Sequence, residues 1–160
     1  MKCPNCGTEI NGSSFPQHYA LCEKTKNNAV LKDPNDIELL DEKSAFETLA
    51  RIDGHRDPLQ YNIFFNHPLA SVRVAAISAL LTCPKSDKLE YLLCKTLRDG
   101  DYRVRRVALE GIRSFSFTNS IPNILELSDD NDSLLRSMAR NVFKEIANSD
   151  HHFRYLIPYL

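Results

Sequence analysis

Along residues 37–160, large apolar side chains recur at i, i+3 and i+4 with polar residues between them, the spacing of one helix face. Leu89, Leu92 and Leu93 form one such set, Ile121, Ile124 and Leu125 a second, and Phe153, Leu156 and Ile157 a third. Short breaks at residues 54–58, 66–68, 84–87, 99–101, 116–120, 129–132 and 148–150 separate the periodic segments, and each holds Gly, Pro, Asn, Asp or Ser. No stretch alternates as a half-buried strand does. The pattern predicts an all-α fold of paired helices.

The pairs repeat. Val72, Val104 and Leu135 stand 32 and 31 residues apart, and Arg73, Arg105 and Arg136 and then Ala76, Ala108 and Ala139 keep the same intervals. A turn opening on His67, Asp99 or Asp130 precedes each of these helices. Neither helix of such a hairpin can bury its apolar stripe alone, so neighbours must stack. An acidic turn, an aliphatic-Arg dipeptide and an Ala three residues on resemble the HEAT-like repeats. The resemblance covers roughly residues 34–160 and implies a short HEAT-like α-solenoid of about four hairpins. It also implies that the three arginines are ladder residues paired with acidic groups of the turns, such as Asp101 and Asp132. The first unit is degenerate. A helix begun at residues 34–36 would carry Ile37, Leu40, Phe46 and Leu49, with Asp41 in the slot of Arg73, and Leu59, Ile63, Phe64 and Phe65 would form its second helix.

Residues 1–26 are rich in Pro, Gly, Asn and Ser, and Ile10, Phe15, Tyr19 and Leu21 are their sizeable apolar side chains. That is too little to offset the entropy of ordering them, so this segment needs a staple. Two residues separate Cys3 from Cys6, eleven separate Cys6 from His18, and three separate His18 from Cys22. The Cys pair suits a tight knuckle, and His18 and Cys22 at i and i+4 share one face of a helix that Ser13 or Ser14 can cap. Three thiolates and one imidazole suit a tetrahedral, closed zinc site. One structural zinc ion is therefore expected, with binding and folding coupled at an apparent free energy of about 10–16 kcal/mol. The same residues are similar to the ubiquitin-binding zinc fingers of DNA-repair adaptors over about 22 residues. The position two after the ligand His, acidic in that family and in contact with ubiquitin, is Ala20 here, so the resemblance implies the knuckle-plus-helix fold. The domain organisation expected is a finger at 1–26, a linker at 27–36 and the repeats at 37–160.

Composition narrows the function. In 160 residues, 20 Lys and Arg face 21 Asp and Glu, a net charge of −1 that excludes a globally basic nucleic-acid binder. The longest nearly apolar run, residues 74–81, is far too short to span a bilayer, so no membrane partner is expected. The N-terminus carries no secretory signal pattern, which points to the cytoplasm. Cys83 and Cys94 stand alone inside helical patterns and are expected as small core residues. No nucleophile–base pair, phosphate loop or paired carboxylate site emerges from spacing, so no enzymatic role is expected.

The expected function is protein binding by an adaptor, inhibitor or assembly factor. Its candidate contacts lie on the second helices: Lys88, Lys95, Asn123, Arg154, Tyr155 and Tyr159. The two tyrosines also offer a weak self-association surface on the last helix, in an otherwise monomeric protein. The alternative is nucleic-acid binding through the finger and Arg103, Arg106, Arg113 and Arg140, which lie off the ladder.

Overall fold

The computed structural model describes residues 40–53, 57–149 and 152–153. The chain divides into two units, Met1–Asp36 and Ile37–Leu160, and every described residue belongs to the second. The described α-helices are α1 (Glu42–Leu49), α2 (Ala70–Leu80), α3 (Asp87–Thr96), α4 (Tyr102–Phe115), α5 (Ile121–Glu126) and α6 (Ser133–Ser149). Stretches of 3-10 helix occupy Pro58–Asn66, Thr118–Ser120 and Leu127–Asp129. No strand occurs among the described residues, so the fold is all-α there.

Caps set where most of these helices begin. Asp41, Ser86, Asp101 and Asp132 each precede a helix, and their side chains accept from the amides of Ser44, Leu89, Arg103 and Leu135. These bonds satisfy donors that a first turn leaves orphaned. Helix α4 ends at Ser116, whose φ of 49° and ψ of 57° place it in the left-handed region. The Lys85 ammonium donates to the carbonyl of Phe115 there, where a cation also complements the helix dipole.

The first helices of the hairpins pack in sequence, α1 on α2, α2 on α4 and α4 on α6. Each second element packs on the first helix of the following hairpin: Pro58–Asn66 on α2, α3 on α4, and α5 on α6. Val72, Val104 and Leu135 are buried in equivalent places, as are Ala76, Ala108 and Ala139, whose small side chains let neighbouring helices approach. At Gly111 the approach is closer still, because a methyl group there would meet Leu81 Cδ2 at 2.5 Å.

The arginines tie the hairpins together. Arg73 donates through Nη1 to the carbonyls of His67 and Pro68 in its own turn, and through Nε and Nη2 to Asp99 in the next turn at 2.8 and 2.9 Å. Arg105 repeats this, from the Asp99 carbonyl to both oxygens of Asp130 at 2.9 Å. The expectation that Asp101 and Asp132 pair with the ladder arginines is therefore corrected. Those two carboxylates are spent on capping amides of their own helices. Asp99 and Asp130, two positions earlier, face back toward the preceding hairpin and also accept from the amides of Asp101 and Asp132. The acidic run at residues 129–132 is thus an inter-helix turn.

The first unit also departs from its expected form. Helix α1 begins at Glu42 behind the Asp41 cap, so Leu40 precedes it, and Ala45 and Leu49, not Phe46, are buried. In the following segment Pro58, Tyr61 and Phe64 are buried with Phe65, whereas Leu59 is 39% exposed. Apolar residues every third position suit the three-residue turn of a 3-10 helix, which is why this stretch winds tighter than expected.

Two predictions follow from the rungs and caps. The side chains of Arg105 and Asp130 are 13% and 8% exposed, so Arg105→Ala strands a buried carboxylate and should lower the unfolding free energy by about 3 kcal/mol in urea denaturation. Arg103→Ala, which removes an exposed pair with Asp101, should cost less than about 1 kcal/mol. Acid should act through the same turns. Hydrogen bonds from the Arg103 side chain and amide hold the Asp101 carboxyl at about 2 against an ordinary 3.8. Burial pushes Asp130 up, but the bonds from Arg105 and the Asp132 amide and the charges of Arg105 and Arg136 outweigh it and hold the group low. A depressed carboxyl contributes stability above its unfolded value that disappears as pH falls through its folded value. The melting temperature should therefore drop between about pH 4 and pH 2, and less steeply in Asp101→Asn.

Candidate partner-binding surface

Helix α3 supplies the outward face of the second elements. Its apolar stripe, Leu89, Leu92 and Leu93, is buried, which turns Lys88, Tyr91 and Lys95 to solvent at i, i+3 and i+7. Arg98 continues this line just past the helix end. Tyr91 is 63% exposed, the largest exposure among the exposed large apolar or aromatic residues described. The flanking cations reach sideways to neighbouring hairpins. Lys88 Nζ lies 3.2 Å from Asp57 Oδ1, Lys95 Nζ donates to Asn62 Oδ1 at 2.9 Å, and Arg98 pairs with Glu126 at 2.9 Å.

Sequence reasoning placed Lys88, Lys95 and Asn123 on this flank and overlooked Leu59 and Tyr91. The signal was present: Leu59, Tyr91 and Asn123 stand 32 residues apart, so the hairpin interval puts all three at one position of successive second elements. Asn123 is half-buried and lines a cleft of about 400 Å³ with Arg98, Arg105, Glu126 and Asp130. Arg154, Tyr155 and Tyr159 lie outside the described residues, as do the ligand candidates Cys3, Cys6, His18 and Cys22. Among the described residues no group of three His, Cys, Asp or Glu side chains could hold a metal ion. No described helix is long and apolar enough to cross a membrane.

The arginines of the nucleic-acid alternative lie elsewhere. Arg103, Arg106 and Arg113 share the solvent face of α4, but each has an acidic neighbour: Asp101 at 2.7 Å, Glu110 at 3.9 Å and Glu145 at 2.9 Å. Arg140 is exposed on α6 and reaches the Ser128 carbonyl at 3.4 Å. These contacts occupy much of the charge that a phosphate would need.

Beneath the α3 face lies a polar staple that the sequence reading did not identify. Ser120 is fully buried and donates to Glu90 Oε1 at 2.8 Å, Asn119 donates to Glu90 Oε2 at 3.3 Å, and the Cys94 thiol donates to Ser120 Oγ at 3.2 Å. Cys83 is buried as expected, whereas Cys94 is only half-buried and its thiol joins this chain of hydrogen bonds. Burial pushes the Cys94 thiol up; the Ser120 bond and the Arg98 charge oppose this without cancelling it, while the Glu90 charge adds to it. A protonated thiol in that position is a donor and a poor nucleophile. The cluster holds α3 against the segment that follows α4, and so fixes how Lys88, Tyr91 and Lys95 are presented.

Ser120→Ala should lower the unfolding free energy by about 2 kcal/mol, since it leaves a buried carboxylate short of a donor, while Lys88→Ala should change it by less than about 1 kcal/mol; thermal denaturation of both variants checks the contrast. No family model, curated protein or solved structure matches the chain, so the reading of this surface rests on its own residues.

Proposed function

We propose that this chain is a non-enzymatic, cytoplasmic protein-binding module, a HEAT-like stack of about four hairpins behind a structural zinc finger. One observation carries the reading. The hairpin interval gives Leu59, Tyr91 and Asn123 one position in successive second elements, and Lys88, Lys95 and Arg98 stand on either side of exposed Tyr91 along α3. Aromatic residues and arginine are enriched in protein interfaces, and an exposed tyrosine ringed by polar groups has the make-up of an interface anchor. The acidic neighbours of Arg103, Arg106 and Arg113 favour a protein partner over a nucleic acid.

The finger is the accessory part. Cys3, Cys6, His18 and Cys22 would hold one zinc ion, which would order the segment and perform no chemistry because four protein ligands fill its coordination. Arg154, Tyr155 and Tyr159 would extend the binding flank and, in the absence of a partner, permit weak self-association.

The test is affinity capture from the native host with the intact chain, with Lys88→Glu/Lys95→Glu and with Cys3→Ser, each verified as folded over 37–160 by circular dichroism. The intact chain should bind one zinc per molecule by elemental analysis, and Cys3→Ser should bind it markedly less tightly. A partner retained by both variants would reject both surfaces. Binding of duplex DNA with a steep loss of affinity as salt rises would support the nucleic-acid alternative instead.

A further inference from the structure

Of the three described second elements, α3 alone sets an aromatic ring between two cations. Lys88, Tyr91 and Lys95 become Ser120, Asn123 and Leu127 one interval later in the sequence, and Arg56, Leu59 and Ile63 one interval earlier. Ser120 and Leu127 are buried, whereas Lys88 and Lys95 are exposed and Tyr91 is 63% exposed. The trio therefore belongs to one helix and is not the ordinary solvated face of a repeat. Its cations are loosely held. Lys88 pairs with Asp57 at 3.2 Å, and Arg98, just past the helix end, pairs with Glu126 at 2.9 Å, all four side chains being at least 40% exposed. Lys95 meets no carboxylate among the described residues and donates to the amide oxygen of Asn62 at 2.9 Å. Exposed contacts of this kind contribute little to stability, so an incoming carboxylate can displace them. An ammonium has three donors, and its bond to an anion is stronger than its bond to an amide oxygen.

We infer that the outward face of α3 takes an acidic amphipathic helix of a partner protein, with carboxylates two turns apart on either side of an apolar side chain. Lys88 and Lys95 are seven residues apart, about 10.5 Å along α3. Two Glu at i and i+7 of a second helix match that span and place a Leu at i+3 or i+4 over the Tyr91 ring. On a β-strand, positions sharing a face recur at about 6.7 and 13 Å, to either side of that span. A second copy of this chain is the wrong occupant. A two-fold axis through Tyr91 would set Lys88 of one copy against Lys95 of the other, with like charges opposed. A nucleic acid fits less well too, because Asp57, Asp87 and Glu126 stand among the cations and would face its phosphates. This inference rests on the protein-binding reading of the same face and adds the chemistry of the partner.

The experiment uses the full chain and a capped, fluorescein-labelled alanine-rich peptide of about 20 residues, long enough to be helical alone, with Glu, Leu and Glu at i, i+3 and i+7. Fluorescence anisotropy should show saturable binding that weakens as salt rises. Exchanging both peptide Glu for Gln, or Lys88 and Lys95 for Gln, should weaken it about five- to tenfold. Tyr91→Ala in the protein, or Ala for Leu in the peptide, should weaken it about as much. Two further variants separate recognition from a folding defect. Asp57→Asn can still cap the Leu59 amide but no longer competes for Lys88, so it should tighten binding about twofold. Lys88→Glu/Lys95→Glu should reject the acidic peptide and bind a version with Lys in place of both Glu. Equal affinity for the Glu and Gln peptides would overturn the inference. Tighter binding of a proline-interrupted peptide of the same composition would overturn the helix, and tighter binding of duplex DNA at the same salt would overturn the protein partner. Affinity capture separates this inference from the broader reading. A native partner lost with Lys88→Glu/Lys95→Glu while no acidic peptide binds removes the acidic helix and leaves the surface; a partner retained removes the surface itself.

Discussion

A guanidinium that holds its own turn through one nitrogen and the next turn through the other two does more than pair charges. Arg73 and Arg105 each span from the carbonyls before their own helix to the aspartate before the next first helix. Burying such a pair costs desolvation, which its Coulomb attraction alone does not reliably offset. What tips the balance here is saturation: every rung aspartate accepts from Nε, Nη2 and a backbone amide, so little hydrogen-bonding capacity is left unmet. The gain is in registry. Apolar stripes alone would tolerate a slide of one helix along another, because leucine against alanine is similar one turn up or down. A bidentate pair does not tolerate it.

Registry in the first-helix layer then determines the second. Because each second element rests on the first helix of the following hairpin, fixing α2 against α4 also fixes Pro58–Asn66 against α3. The lateral contacts of Lys88 with Asp57 and Lys95 with Asn62 cross that same junction. They are exposed and contribute little energy. Beneath them the Glu90, Ser120 and Asn119 cluster sets the α3 junction on its other side, with the Ser120 bond buried and the Asn119 bond part-buried. An adaptable exposed face thus sits on two junctions held rigidly from below, the arrangement a binding surface needs if its side chains are to meet a partner without reordering the backbone.

The helices, the hairpin interval and the buried positions Val72, Val104, Leu135, Ala76, Ala108 and Ala139 were legible from spacing, because periodicity reports burial directly. The rung partners were legible in kind but not in position. Asp99 and Asp101 carry the same side chain two residues apart, and what assigns one to Arg73 and the other to a helix amide is the backbone path of the turn. The first hairpin was misread for a related reason. A heptad-like reading of residues 58–66 weighs Leu59 and Ile63, whereas the period of three in Pro58, Tyr61 and Phe64 is the one the chain follows. Tyr91 was passed over although it shares the register of Asn123, because an aromatic beside a leucine stripe reads as core until the stripe's own orientation is known. The expected zinc ligands Cys3, Cys6, His18 and Cys22 lie outside the described residues.

The α1 end of the ladder differs chemically from the filled rungs, and the difference follows from the residue at position 41. Stepping back one interval from Arg73 and Asp99 gives Asp41 and His67. Asp41 is occupied as the cap of α1, so the slot that holds a ladder arginine in later hairpins supplies no guanidinium to the His67 side chain. Histidine keeps the local role of the rung aspartate, since its Nδ1 accepts from the Leu69 amide just as Asp99 accepts from that of Asp101. That bond places the ring proton on Nε2, which donates to the Leu40 carbonyl at 3.1 Å. The first rung is thereby closed with neutral groups, and the chain's own backbone satisfies it.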